Sequence, residues 1–174
     1  MVIWFTGISG SGKTTLGKKF FEKLKRKSKS TIYLDGDKFR EIFKNDLGYS
    51  LSDRDMNAYR LTRLVKEISS QKINIVVAAN LTNTKYRSWC RKNIKSFREV
   101  HIEAKIDSLL SRDYKNLYND ALKGRIKNVV GVDLLFKKPK GCYMYIENNS
   151  TKKDFYKNIK KIFLNINKSK VLFK

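Results

Sequence analysis

The sequence predicts an α/β fold in which a central, mainly parallel five-stranded sheet lies between two layers of helices. Short apolar runs of strand length alternate with amphipathic helical patterns along the whole chain, as in proteins built from strand–helix–strand units. A glycine-rich turn separates the first apolar run from the first helical pattern. With 174 residues and neither an internal repeat nor a linker, we expect one domain over residues 1–174.

Five apolar runs predict the strands. They span residues 2–5, 31–34, 73–79, 100–104 and 142–146. The first run is apolar throughout and stops at Thr6 and Gly7, which indicates a parallel strand buried on both faces. The run from 73 to 79 is the most continuous one, so we place that strand at the centre of the sheet.

Apolar residues at helical spacing predict the helices between these strands. Leu16, Phe20, Phe21 and Leu24 define the first amphipathic helix, which a polar connection over residues 25–30 follows. Further helices are predicted near 39–43, from Ser52 onward, at 87–95, as two stretches within 107–123, and from residue 151. Residues 125–140 have the composition of a loop.

The formal net charge of +23 is the most prominent feature of the composition. It suggests either attraction to nucleic acid or steering of anionic substrates. Lysines recur in every segment instead of forming one block, and no RNA-recognition, KH or zinc-finger signature is present. We therefore expect a basic background composition that also steers anionic substrates, and no specific nucleic-acid partner.

Cysteine and histidine usage argues against zinc and disulfides. The two cysteines, Cys90 and Cys142, are far apart and belong to no CxxC pair, and His101 is the one histidine. This favours a reducing compartment, so we expect a cytoplasmic location. The sequence shows neither a signal peptide nor an apolar run long enough to span a bilayer, so we expect no membrane association.

The glycine-rich turn carries the strongest functional signal. Residues 7–14 read Gly-Ile-Ser-Gly-Ser-Gly-Lys-Thr, a full Walker A pattern, between a predicted strand and a predicted helix. Such glycines let backbone N–H groups curl around a phosphate at a helix N-terminus. The predicted ATP-binding residues are Gly7, Ser9, Gly10, Ser11, Gly12, Lys13, Thr14 and Thr15. We expect Lys13 to bridge the β- and γ-phosphates and the Thr14 hydroxyl to hold Mg²⁺.

Missing motifs narrow the class of P-loop protein. No glycine has an aspartate three residues before it, so the GTPase switch motif is absent, and the third strand ends at Asn80 without a Walker B aspartate. Asp35 and Asp37 follow the second strand instead, at the edge where ligands of open α/β sheets bind. They suit an acceptor hydroxyl and, for Asp35 with Thr14, Mg²⁺. An Asp-Gly turn in which Asp37 caps the next helix is the alternative, but beside a Walker A loop we favour a small kinase.

Arg40, Arg54 and Asn57 are further candidates for substrate binding. Arg54 and Asn57 lie three residues apart and share one helix face. Guanidinium groups can grip two oxygens of a phosphate or sulfate at once. The alternative is that these arginines are ordinary exposed side chains.

Together these segments resemble the adenylylsulfate (APS) kinase family. The matching segments are residues 7–15, 34–40, 46–50 and 53–57, and then 112–118, 124–127 and 131–133, which resemble that family's lid at about 112–140. The likeness covers residues 1 to about 147. It implies the P-loop kinase fold, a homodimer, and transfer of the ATP γ-phosphate to the ribose 3′-hydroxyl of a 5′-nucleotide mixed anhydride.

The resemblance also implies roles for individual residues. Asp37 would be the base or orienting group for the 3′-hydroxyl, acting with Lys13 and with Lys115, which would close from the lid. Arg112 would assist nucleotide binding, and Tyr49 would stack on the acceptor base. The full acceptor-binding set is Asp35, Asp37, Arg40, Tyr49, Arg54, Asn57, Asn80, Leu81, Lys115 and Val129.

Two departures from the family pattern affect the acceptor pocket. Family members have a Phe-Ile-Ser-Pro stretch after the third strand, where this chain has Ala79, Asn80, Leu81 and Thr82. Val129 stands where a phenylalanine clamps the acceptor base. A smaller pyrimidine needs less stacking area, and Asn80 can bind its edge. Over its whole length the chain also resembles the branch of the family that phosphorylates cytidine diphosphoramidate in bacterial capsule modification, and this resemblance makes that compound the leading acceptor.

Other acceptors and other classes stay open at this point. APS itself, in sulfate activation, is the nearest alternative. A gluconate- or shikimate-type kinase would leave Tyr49 without a stacking role. A basic nucleic-acid-binding P-loop protein is the alternative from another class, and a salt titration of DNA and RNA binding would test it.

Overall fold

The structure, a computed structural model, describes residues 1–113, 116–149 and 151–168. Its strands are β1 (Val2–Thr6), β2 (Thr31–Asp35), β3 (Asn74–Ala78), β4 (Phe97–Glu103) and β5 (Met144–Glu147). They form one sheet in the order β2-β3-β1-β4-β5, in which every pair is parallel. The predicted five-stranded α/β sheet is confirmed.

Helices cover both faces of this sheet. They are α1 (Lys13–Lys27), α2 (Gly36–Ile42), α3 (Leu51–Ser70), α4 (Thr84–Asn93), α5 (Ile106–Leu110), α6 (Leu117–Leu122) and α7 (Lys152–Lys168). Successive residues of β1 point to opposite faces, so Ile3 and Phe5 pack with α1 and α7, while Val2 and Trp4 pack with α3 and α4. Among the described residues, no helix is both long enough and apolar enough to cross a bilayer.

The start of α3 differs from the prediction. Two overlapping Ser-x-x-Asp patterns compete here, Ser50 with Asp53 and Ser52 with Asp55. Ser50 is the N-cap: its hydroxyl accepts a hydrogen bond from the Asp53 N–H at 3.2 Å and donates to the Asp53 carboxylate at 2.6 Å. The Asp55 carboxylate instead accepts from Asn83, 3.0 Å away. The helix therefore begins at Leu51, with Ser50 as its cap.

Several other boundaries also differ by a few residues. The first helix continues through Lys27, where cations in the last turn suit the negative end of the helix dipole. The fourth helix begins at Thr84, because the Asn83 side chain accepts from the Lys85 N–H at 3.0 Å and caps it. The fifth strand begins only at Met144.

The carboxyl ends of β2, β3 and β1 place the candidate residues side by side. Asp35, Ala78 and Phe5 are register partners on these three adjacent strands. Two residues further along each strand come Asp37, Asn80 and the first glycine of the Walker A loop. The predicted meeting of these segments at one sheet edge follows from the strand order.

A buried ion pair stabilises β4 against α4. The Glu99 carboxylate lies 3.2 Å from Arg87 Nε and 2.7 Å from Arg91 Nη2, and both Glu99 and Arg87 are only 2% exposed. Burial raises the pKa of Glu99, against the opposing effect of the two arginine charges. Arg87 also donates to the carbonyl oxygen of Lys137 at 2.9 Å, so this pair anchors the loop that precedes β5.

Replacing Glu99 by glutamine should lower the free energy of unfolding by about 3 kcal/mol, because Arg87 would stay buried without its counter-charge. Urea unfolding followed by circular dichroism measures this. Glu103→Gln is the matched control, since Glu103 pairs with Lys138 at the surface, where such a pair contributes about 1 kcal/mol or less. Equal losses for the two variants would contradict a special role for the buried pair.

Candidate active site

The Walker A residues form a tight loop between β1 and α1. Gly7 and Gly12 have φ values of +145° and +102°, which strain any residue with a side chain. A Cβ atom at Gly7 would overlap the carbonyl oxygen of Ile102, and one at Gly12 would come within 2.7 Å of Asn148 Nδ2. Only glycine fits these two positions, as a backbone cradle for phosphate requires.

Two side chains hold this loop from outside. Tyr118 donates its hydroxyl proton to the carbonyl oxygen of Ser9 at 2.7 Å, and Asn148 donates to that of Ser11 at 2.8 Å. The C=O and N–H of a trans peptide point in opposite directions. The N–H groups of Gly10 and Gly12 therefore point away from these partners, and the first turn of α1 adds further free N–H groups. This geometry suits an anion.

Lys13 lies at the centre of the cluster of charges. Its ammonium group donates to the carbonyl oxygen of Ile8 at 2.8 Å. Burial lowers the pKa of Lys13 to about 8, while the charges of Asp37 and Asp35 raise it and that of Arg54 lowers it. The charges of both aspartates and of Arg54 thus act on the predicted phosphate lysine.

Thr14, Asp35 and Tyr33 form a hydrogen-bonded group beside Lys13. Asp35 Oδ2 accepts from the Thr14 hydroxyl at 2.9 Å and from the Tyr33 hydroxyl at 3.0 Å, and Asp35 Oδ1 accepts from the Asp37 N–H at 3.0 Å. Asp35 is thus the N-cap of α2. A hydroxyl and one carboxylate are the hard oxygen donors that Mg²⁺ takes from a protein when phosphates and water fill its other positions, so these residues fit the ion.

The Asp37 carboxylate has a different environment from that of Asp35. Asp37 lies in the first turn of α2 and is exposed at the sheet edge. The alternative that Asp37 caps this helix is wrong, because Asp35 takes that place. The exposed carboxylate can therefore reach a ligand held by the loop.

Two arginines enclose Tyr49. The guanidinium carbon atoms of Arg40 and Arg54 lie 4.9 and 5.3 Å from the centre of its ring, and the side chain of Tyr49 is 55% exposed. Arg54 also donates to the carbonyl oxygens of Tyr49 at 2.8 Å and Asn128 at 2.7 Å. Burial and then the charge of Arg40 lower the pKa of Arg54. An anion bound beside both guanidinium groups would relieve this repulsion.

The remaining predicted acceptor residues differ in accessibility. Asn80 is partly exposed, and its Oδ1 is buried without a hydrogen-bond partner among the described residues. Asn57 is partly exposed, whereas Leu81 is fully buried. Val129 is 5% exposed and packs with Leu109 and Tyr118, away from solvent.

The loop that contains Val129 is held by one carboxylate. Asp133 accepts hydrogen bonds from the N–H groups of Asn128 and Val129, both at 2.6 Å, which lowers the pKa of Asp133. The turn presents the Asn128 carbonyl oxygen to Arg54, so the loop and α3 are joined. Lys115, predicted to act from the same lid segment, lies outside the described residues.

A cavity of about 250 Å³ lies on the other side of the Walker A loop. It is lined by Gly10, Gly12, Thr15, Arg112, Asn148, Lys152 and Phe155. Arg112 donates to the carbonyl oxygen of Asn148 at 2.9 Å, which fixes one wall. The predicted nucleotide residues Thr15 and Arg112 therefore share a concave surface that adjoins the phosphate loop.

The match to known proteins is consistent with this geometry. The family model described as adenylylsulphate kinase matches residues 1–147. The chain belongs to the adenylylsulphate kinase family. Its relatives include the cytidine diphosphoramidate kinase of Campylobacter jejuni, 39% identical over 92% of this chain and 93% of that protein. Another is the adenylyl-sulfate kinase of Buchnera aphidicola, 32% identical over 96% of this chain and 82% of that protein.

A solved structure of the adenylylsulphate kinase family has the same fold. The Mycobacterium tuberculosis APS kinase CysC in complex with AMPPNP and APS superposes with a TM-score of 0.83 at 26% identity, covering 95% of this chain and 96% of that one. The resemblance to APS kinases is thereby confirmed. The chain is a nucleotide kinase, a phosphotransferase of a family that uses ATP.

Three residues contact the Walker A loop or Asp35 in the structure but are not among the predicted site residues. Asn148 directly follows β5, and a polar residue directly after a strand is the same signal that marks Asp35. Tyr118 lies in the predicted lid segment, but nothing local shows that its hydroxyl reaches Ser9. Tyr33 gives no signal, because a tyrosine inside a strand is ordinary.

Proposed function

We propose that this kinase transfers the γ-phosphate of ATP, with Mg²⁺, to the ribose 3′-hydroxyl of cytidine diphosphoramidate, for phosphoramidate modification of a capsular polysaccharide. The alternative acceptor is APS, which the solved relative binds. The observation that carries the choice of acceptor is the buried amide oxygen of Asn80, which accepts no hydrogen bond from the described part of the chain. The 39% identity to a cytidine diphosphoramidate kinase over nearly both whole chains supports the same choice.

Asp37 is the proposed base. Its charge acts on both Lys13 and Arg54, so the carboxylate lies within electrostatic reach of the phosphate loop and of the acceptor arginines. It accepts the proton of the 3′-hydroxyl while the hydroxyl oxygen bonds to the γ-phosphorus. The bond from that phosphorus to the β,γ-bridging oxygen breaks, and ADP leaves. Lys13 stabilises the negative charge on the transferring group.

Other residues hold the two substrates in line. The loop N–H groups of Gly7 to Thr15 and the cavity beside Arg112 take the donor nucleotide. Thr14 and Asp35 would hold Mg²⁺, which when bound neutralises charge on the β- and γ-phosphate oxygens. Lys115 is proposed to close over the site from the lid.

The surface formed by Tyr49, Arg40 and Arg54 binds the acceptor nucleotide in this proposal. Arg40 and Arg54 bind its phosphate and anhydride groups, and the exposed ring of Tyr49 stacks on its base. Asn57 lies on the same helix as Arg54 and completes the anion contacts. Leu81 and Val129 contribute apolar packing behind this surface instead of an aromatic second wall.

Asn80 discriminates between the two acceptors through hydrogen-bond polarity. Its carbonyl oxygen can only accept a hydrogen bond, and it accepts none from the described residues. The terminal group of a phosphoramidate carries N–H donors. The sulfate end of APS has only acceptor oxygens. A buried acceptor favours the ligand that donates to it, because an unpaired buried polar atom is costly.

A coupled assay of ADP release with Mg-ATP, run on cytidine diphosphoramidate and on APS, tests the proposal. We expect a clearly higher kcat/KM for the cytidine compound. A preference for APS would mean that the differences from the family pattern at Asn80 and Val129 do not affect the choice of acceptor. The enzyme would then serve sulfate activation. Turnover of neither compound would overturn the assignment to this acceptor class.

Replacing Asn80 by alanine should lower kcat/KM for cytidine diphosphoramidate about 5- to 10-fold, the effect of losing one hydrogen bond. Cytidine 5′-diphosphate is the matched acceptor, because an oxygen replaces the terminal nitrogen. Its slower turnover should change little in the variant if Asn80 binds the phosphoramidate N–H. Equal losses for both acceptors would instead place the contact at the base, and no loss for either would remove Asn80 from the site.

Assembly and location complete the proposal. We propose a homodimer, as the family resemblance implies, and light scattering of the purified chain at several concentrations tests it. A cytoplasmic location is supported by the two free cysteines, Cys90 and Cys142.

A further inference from the structure

Tyr33 holds the Asp35 carboxylate through a hydrogen bond that the proposed mechanism does not use. The residue lies two positions before Asp35 in β2, so both side chains point to the same face of the sheet. The Tyr33 hydroxyl donates to Asp35 Oδ2 at 3.0 Å, the oxygen that also accepts from Thr14. Asp35 Oδ1 is held by the Asp37 N–H. Hydrogen bonds from neighbouring residues therefore hold both oxygens of the Asp35 carboxylate.

The ring and the hydroxyl of Tyr33 contact different parts of the structure. The ring centre lies 5.7 Å from that of Phe21 in α1, in the core between the sheet and that helix. A phenylalanine would fill the same volume. A tyrosine phenol is protonated at neutral pH, so the Tyr33 hydroxyl can act as a hydrogen-bond donor. The hydroxyl thus adds a contact with Asp35 that packing alone does not need.

The Thr14 hydroxyl has two tasks if it binds the ion. It must direct a lone pair to Mg²⁺ and still donate its proton to Asp35 Oδ2, which requires that oxygen to stay in place. Without Tyr33, one hydrogen bond at each oxygen would hold the carboxylate, from Thr14 at Oδ2 and from the Asp37 N–H at Oδ1. The second donor to Oδ2 restricts the position of that oxygen further before the ion arrives.

We infer that Tyr33 is a positioning residue for Mg²⁺, which orients the Asp35 carboxylate and through it the Thr14 hydroxyl. The inference rests on the proposed metal role of Thr14 and Asp35. In this inference the Tyr33 hydroxyl does not touch the ion but hydrogen-bonds to a residue that does, as the residues that orient ligating carboxylates do in metalloproteins.

The test is the Mg²⁺ dependence of binding of AMPPNP, a non-hydrolysable ATP analogue, measured by calorimetry without turnover. Tyr33→Phe should raise the half-saturating Mg²⁺ concentration about 10-fold, the usual scale for losing an outer contact of a metal ligand. Binding of AMPPNP in EDTA should be unchanged. Tyr143→Phe is the matched control: Tyr143 packs against the same core, and its buried hydroxyl has no hydrogen-bond partner in the part of the chain described.

Asp35→Asn separates this inference from the function it rests on. If Asp35→Asn shifts the Mg²⁺ dependence and Tyr33→Phe does not, the role of Tyr33 is overturned while the metal site stands. If neither variant shifts it, the metal assignment itself fails. Equal weakening of AMPPNP binding by Tyr33→Phe with and without Mg²⁺ would show a purely structural effect, which also overturns the inference.

Discussion

Replacing Lys13 by alanine is expected to lower kcat on the order of 10³-fold, and to abolish detectable turnover in an ADP-release assay. Lys13 supplies the positive charge that meets the β- and γ-phosphates, and no other lysine of the described structure lies in the loop. Its ammonium is held by the Ile8 carbonyl oxygen, so the charge is oriented before ATP binds. The stabilisation therefore requires little rearrangement during transfer.

The matched control for this variant is Lys18→Ala, on the exposed face of the same helix. It removes one positive charge of the chain's net +23 without touching the loop, so kcat should stay near that of the unmodified enzyme. Lys13→Ala with turnover within tenfold of the unmodified enzyme would contradict the assignment of the loop to phosphate. Melting temperatures of both variants show whether either loss reflects unfolding.

Replacing Asp37 by asparagine should lower kcat about 10²- to 10⁴-fold while leaving AMPPNP binding largely intact. Asparagine keeps the size of the side chain but cannot accept the proton of the 3′-hydroxyl. The backbone N–H of residue 37 would still donate to Asp35, so the start of α2 is preserved. The loss should therefore appear in the rate of transfer and not in nucleotide affinity.

Asp46→Asn is the control for this second change. Asp46 is another exposed aspartate, and it pairs with Arg60 at 2.7 Å, outside the charge cluster around Lys13. Single-turnover measurements with saturating acceptor separate the chemical step from product release. Activity of Asp37→Asn near that of the unmodified enzyme would mean that Asp37 contributes only to the first turn of its helix.

The Walker A loop illustrates what local sequence can show about the site. Its glycines, Lys13 and Thr14 are contiguous, and the strand before and helix after them have strong patterns of their own. Asp35 and Asp37 were also predictable, because residues directly after a parallel strand lie at one edge of the sheet. From the sequence alone, however, the environments of the Asp35 and Asp37 carboxylates could not be distinguished. The structure distinguishes them, since Asp35 caps α2 and bonds to Thr14 while Asp37 is exposed.

Helix starts show where local patterns are ambiguous. Two Ser-x-x-Asp patterns overlap at α3, and both satisfy the same capping rule. In the structure the Ser50 hydroxyl caps the helix, and the Asp55 carboxylate of the other pattern accepts from the distant Asn83 side chain. The local pattern alone does not distinguish the two caps.

By itself the sequence determined the sheet-and-helix alternation, the phosphate loop and the family, and it predicted the residues that we propose for the two substrate surfaces. Those features depend on neighbours within a few positions or on motifs read in order. Only the tertiary structure decided that Tyr118 holds Ser9 across 109 positions and that Asn148 holds Ser11 across 137. Such contacts depend on the order in which strands assemble, and periodicity along one chain carries no record of which strand ends become neighbours.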